Sequence, residues 1–172
     1  MFKLIGSVLI ILSSSSLGYM IGMRYSMRVR EIKLLKISLQ MLETEIAYSN
    51  TPLPEALKIV CKKSKHPINI IFNKAAANLG KKDCVSVGDA FCKSLDDAKG
   101  MYSLIDEDID ILRSFGHSLG SSDVDGQIKS FSLIIKELDA QEIKAEEMRK
   151  KNENMYKNLG FLAGVAITIL LI

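Results

Sequence analysis

The residue types best suited to chemistry are two histidines, His66 and His117, three cysteines, Cys61, Cys84 and Cys92, and the acidic run Asp106, Glu107, Asp108 and Asp110. A Cys–His pair can bind a soft metal or activate a thiolate, and clustered carboxylates can hold a hard cation. The spacings argue against both. Cys61 and His66 stand five apart across a pre-proline turn, and Cys84 and Cys92 are eight apart with no further ligand type close by. These read as packing and loop residues. The acidic run precedes an apolar helical pattern, where carboxylates are stabilised by the positive end of the helix dipole. An odd number of cysteines also gives no disulfide framework. Phosphate-binding, nucleophile-elbow and zinc-protease signatures are missing from the sequence. The expectation is a chain with no catalytic residue, no metal and no cofactor.

Nor does the charge suit nucleic acid. The 172 residues carry a net +3, and once Lys3 is set aside every charged side chain lies in 24–157, at +2. A nucleic-acid footprint needs a concentrated basic face instead.

Position along the chain is more informative. Leu4 to Met23 and Leu159 to Ile172 carry no charge at all. At about 1.5 Å per residue the first run matches a hydrocarbon core of roughly 30 Å, while the second reaches only about 21 Å. Arg24, Arg28, Arg30, Lys33 and Lys36 follow the first run, and Lys144, Arg149, Lys150, Lys151 and Lys157 precede the second. One lysine before the first run and no small-residue cleavage site after it disfavour a secretory signal. Two membrane helices are expected, with both termini outside and the intervening segment in the cytoplasm. The expected divisions are a transmembrane helix over 1–23, a helical domain over 24–157 and a second transmembrane helix over 158–172. Ser14, Gly18 and Gly22 are spaced by four, as are Gly160, Gly164 and Thr168. Small residues at that spacing permit close backbone approach. In an antiparallel hairpin Gly22 would lie level with Gly160, Gly18 with Gly164 and Ser14 with Thr168; pairing between chains, as a homo-oligomer, is equally compatible.

Between these runs the periodicity is helical throughout. Ile32, Leu35, Leu39, Leu42 and Ile46 form one stripe, and Val124, Ile128, Phe131, Ile135 and Leu138 form another. Two long helices should pair stripe to stripe, with the second solvated from about Asp139 to Lys157. Thr51 is the expected cap of a helix from Leu53, Ser86 with Asp89 a capping box, and Gly120 a helix stop. Gly116, inside a helical pattern, suggests close approach of another helix. The expected fold is all-α: an antiparallel bundle of about six helices between an N-terminal and a C-terminal transmembrane helix.

An ordered set of short motifs extends over the whole chain: Lys3-Leu4-Ile5-Gly6, Leu42-Glu43-Thr44-Glu45-Ile46, Tyr48 and Thr51-Pro52-Leu53-Pro54-Glu55-Ala56-Leu57. Phe115-Gly116, Leu119-Gly120, Ser122-Asp123 with Gln127, Tyr156 and Leu159-Gly160-Phe161-Leu162 complete it. The set resembles the stage III sporulation protein AB family, with a milder, isoleucine-rich ending at Ile167 to Ile172. That resemblance implies a membrane component of the channel-like complex joining mother cell and forespore, in the mother-cell membrane around the forespore. It also implies similarity to the cytoplasmic domains of type II secretion platforms. The implied partners are membrane lipid, a secretion-type ATPase (stage III sporulation protein AA) and other channel proteins of the same operon. A membrane-tethered regulator recruiting soluble partners without a motor is the alternative. In either case the expected partner surface comprises Glu55, Phe115, Gly116, Asp123, Asp125 and Gln127, at two corners of the bundle away from the bilayer.

Overall fold

The computed structural model describes residues 2–49, 51–79, 86–120 and 124–171. All regular structure among them is helical: α1 (Phe2–Ala47), α2 (Leu53–Lys63), α3 (Ile68–Leu79), α4 (Val87–Asp97), α5 (Asp106–Ser118) and α6 (Val124–Leu171). The chain forms two compact units. One consists of residues 1–29 and 143–172, the other of 30–142. The divisions therefore fall inside the two long helices and not at the edges of the apolar runs.

In the 30–142 unit the expected stripe of α1 is realised: Ile32, Leu35, Leu39 and Leu42 are fully buried, with Ile46 half-buried. The stripe of α6 has a different register. Phe131, Ile134 and Leu138 are buried, whereas Ile128 and Ile135 are half-exposed. Adjacent isoleucines at 134 and 135 both fall within a broad apolar arc, so periodicity alone does not choose between them. The shift has a consequence. In the new register Gln141 and Ala145 continue the buried face, so the expected solvated stretch from Asp139 is covered along one side. On the flank of that face the ammonium of Lys36 pairs with both Asp139 and Glu142, and those contacts hold its pKa above the ordinary lysine value.

The shorter helices complete the core. A column of aromatic rings runs from α3 to α6: Phe72, Phe91, Phe115 and Phe131, with successive centroids 6.3, 6.0 and 5.0 Å apart. The termini follow local chemistry. Ser86 accepts from the Asp89 N–H at 3.0 Å while the Asp89 carboxylate accepts from the Ser86 N–H at 3.1 Å, a complete capping box. Thr51 does not cap α2. Pro52 is the N-cap residue, and the Thr51 hydroxyl donates to the Glu45 carboxylate at 3.2 Å. Gly120, at φ +78°, follows α5 in the left-handed conformation that ends helices.

Candidate membrane hairpin and partner corner

In the unit formed by 1–29 and 143–172, α1 and α6 meet through backbone. A Cβ built on Gly18 would lie 2.6 Å from the Tyr156 carbonyl oxygen and 2.8 Å from the Gly160 Cα. One on Gly160 would meet the Gly18 Cα and the Ser14 carbonyl oxygen, each at 2.8 Å. Gly22 packs in the same way against the Glu153 carbonyl, and Gly164 against the Ile11 Cα. No side chain larger than hydrogen fits at these crossings without moving a helix. The Ser14 hydroxyl donates across the seam to the Gly160 carbonyl at 2.6 Å. Thr168 donates within its own helix, to Gly164.

The seam brings together the small residues singled out by spacing, but one helical turn away from the expected alignment. Gly18 faces Gly160 rather than Gly164, and Ser14 reaches Gly160 and Gly164 rather than Thr168. A repeat of four is unchanged by a slide of four, so spacing predicts a seam without predicting its register. Aromatic contacts outside the seam match the shifted alignment: Tyr25 stacks on Tyr156 with centroids 5.9 Å apart, and the Lys157 ammonium lies 5.2 Å from the Tyr19 ring centroid while pairing with Glu153. Nearby, buried Arg28 donates to the Met148 sulfur at 3.4 Å. Among the described residues one helix, α1, has a stretch long and apolar enough to cross a membrane.

In the 30–142 unit the expected partner residues separate into two groups. Glu55 is exposed on the first turn of α2 and Gln127 is half-buried near the start of α6, where Asp125 occupies the first turn. Asp123 lies outside the described residues. Phe115 and Gly116 are interior. Phe115 is a member of the aromatic column, and a Cβ on Gly116 would press on Phe91 at 3.0 Å and Cys92 at 3.1 Å. Opposite it, a Cβ on Gly88 would come within 2.6 Å of the Gly116 carbonyl oxygen. The glycine inside α5 thus marks a close crossing with α4, and both residues leave the candidate surface. The two corners do converge, since Gly120 lies against Val87 and Leu53. Tyr48, 80% exposed just past α1, adds an aromatic side chain near the first corner.

Among the described histidines and cysteines one pair comes together. Cys92 and His117, distant in sequence, approach to 3.9 Å between Sγ and Nε2. Burial raises the Cys92 thiol pKa, the opposite of what an activated nucleophile needs. Cys61 is half-buried and His66 exposed, while Cys84 falls outside the described residues. Asp108 is fully buried and accepts from the Ile105 N–H at 3.0 Å, capping α5, whereas Asp106, Glu107 and Asp110 are exposed. No group of three or more metal-ligating side chains occurs among the described residues.

Comparison with known proteins bears on the whole chain. The family model described as stage III sporulation protein AB matches residues 3–172. A curated protein of Bacillus subtilis (strain 168) named stage III sporulation protein AB is 36% identical over 171 residues, covering 99% of each chain. A solved structure titled with the same name superposes with a TM-score of 0.67 at 32% identity, over 73% of this chain and 98% of that one.

Proposed function

Because this chain belongs to the stage III sporulation protein AB family, we propose that it is a non-catalytic membrane platform of endospore formation, anchored by a two-helix hairpin. The single observation that carries the anchor is the glycine seam. With Gly18 against Gly160 and Ser14 bonded to the Gly160 carbonyl, the apolar end of α6 runs beside the apolar part of α1. The short second run then shares bilayer depth with a longer partner, and its backbone contacts replace contacts with lipid. The flanking arginines and lysines favour residues 24–157 in the cytoplasm with both termini outside, and family membership favours the mother-cell membrane around the forespore as the location.

In this reading the helical unit couples a cytoplasmic secretion-type ATPase to the membrane complex and performs no reaction itself. The docking surface is the corner bearing Glu55, Asp125 and Gln127, together with Asp123 two positions before Asp125 in sequence, where acidic residues meet basic ones on the motor and give a salt-sensitive contact. Glu55→Lys with Asp125→Lys should abolish retention of the operon's ATPase by the full chain in detergent, with the melting transition unchanged. Retention that survives both substitutions, or that falls only together with melting, would rule out this corner. The topology has its own measurement. Phe2→Cys should react with a membrane-impermeant maleimide on intact cells, while Cys61 and Cys92 should react only after lysis.

A further inference from the structure

Glu31 of α1 is 1% exposed, the most deeply buried carboxylate after Asp108 among the described residues of the 30–142 unit. Asp108 caps a helix; Glu31 does something else. Its Oε2 accepts from the backbone N–H of Ser103 at 2.6 Å, a bond between α1 and the middle of the loop joining α4 to α5. Its Oε1 is buried with no hydrogen-bond partner. A carboxylate with one oxygen satisfied and the other dry is costly to keep charged, whereas the neutral acid keeps the Ser103 bond and loses most of the penalty.

We infer that Glu31 is a proton-operated latch, which holds the loop Ala98–Ile105 on α1 when neutral and lets it open to solvent when ionised. The loop is suited to independent motion. Its two ends are fixed, by buried Ala98 and by the Ile105 N–H bonded to Asp108, and between them it is held, besides Glu31, by buried Leu104 and by the Tyr102 hydroxyl, which donates to the Leu95 carbonyl at 3.0 Å. It turns at Gly100, φ +86°, and exposes Met101. It also walls a cavity of about 240 Å³ with Lys99, Gly100, Tyr102 and Leu104, against Asp96, Asp106, Ile109 and Arg113. Opening the latch would therefore reshape a polar cleft on this unit.

Burial raises the Glu31 pKa, and the Ser103 bond, Arg30 and His66 act in the opposite sense without cancelling it. Arg30 belongs to the same helix, His66 to the turn between α2 and α3, and the loop contributes the Ser103 N–H and hydroxyl, both neutral. The sign follows from linkage. A carboxyl whose pKa is raised in the closed form favours closure below its open-state pKa, and this preference is lost as pH rises through the closed-state value. Opening then grows by up to about tenfold per pH unit, because one proton is released.

The test uses the full chain in lipid nanodiscs and amide hydrogen exchange across residues 98–105, corrected for intrinsic rate, from about pH 5 to about pH 8. The expected result is an opening equilibrium that rises with pH in this loop and stays flat in α3. Glu31→Gln, which keeps an acceptor for Ser103 without a titrating proton, should flatten the loop. Arg30→Gln leaves the core untouched and removes a cation that favours the ionised form, so it should move the rise to higher pH. A pH-independent loop in the wild type overturns the latch. So does a slope that persists in Glu31→Gln, or an Arg30→Gln profile superimposable on the wild type.

Discussion

The same two helices, α1 and α6, are held together by different physics in the two compact units. In the 1–29 and 143–172 unit they touch backbone to backbone, with Gly18 on Gly160 and a hydroxyl-to-carbonyl bond from Ser14. In the 30–142 unit Ile32, Leu35, Leu39 and Leu42 on α1 and Phe131, Ile134 and Leu138 on α6 are buried, and four phenyl rings extend the core. In the membrane reading proposed above, lipid is as apolar as leucine, so leucine gains little by leaving lipid for a partner helix, and close approach with dispersion and hydrogen bonding supplies the attraction. In water the removal of apolar area supplies it, and bulk is an advantage. The difference teaches that one pair of helices is joined through its smallest residues in one unit and through its largest in the other. The contrast is not absolute, because Gly88 and Gly116 make a backbone crossing inside the 30–142 unit.

The largest expected effect breaks the hydrophobic side of the comparison. Leu39→Asp or Leu138→Asp places an unpaired carboxylate among fully buried side chains, and the helical unit should lose cooperative unfolding by circular dichroism. Next comes the glycine seam. Gly160→Leu must displace backbone, a cost of about 1–3 kcal/mol or more, and should lengthen the spin-label distance between positions 12 and 162 without altering the helical unit. Register is sharpened by a pair of truncations. Ile134→Ala should cost about 2–4 kcal/mol and Ile135→Ala less than half of that in urea unfolding, and equal losses would restore the register expected from periodicity. The glycine crossing of the 30–142 unit lies below these in effect. Gly88→Ala, which meets a backbone oxygen, should lower Tm more than Gly116→Ala, which meets side chains that can shift. The smallest effect belongs to Lys36. Lys36→Met should cost about 0.5–1 kcal/mol, and the loss should shrink in high salt.

Much of the architecture was legible because it depends on local pattern. The two uncharged runs, the four-residue spacing of glycines, the capping box of Ser86 and Asp89 and the stop at Gly120 are each written within a few residues. The helix-breaking cost of Gly116 correctly pointed to a close approach, although the approaching helix is internal and not a partner's. Phe115, expected on the partner surface, is buried, and the difference has a related reason. A phenylalanine at a corner has the same sequence signature whether it faces a partner or a neighbouring helix, and only its ring contacts with Phe91 and Phe131 distinguish the two.

The sequence by itself determined the helical class, several helix termini and the family, because periodicity, breakers and caps act over one or two turns. Tertiary structure alone decided the register of the seam, the choice of Ile134 over Ile135 and the burial of Glu31 against Ser103. Each of these depends on which groups from distant segments share a space. A pattern that repeats every four residues, or offers two adjacent apolar positions, leaves that choice to packing.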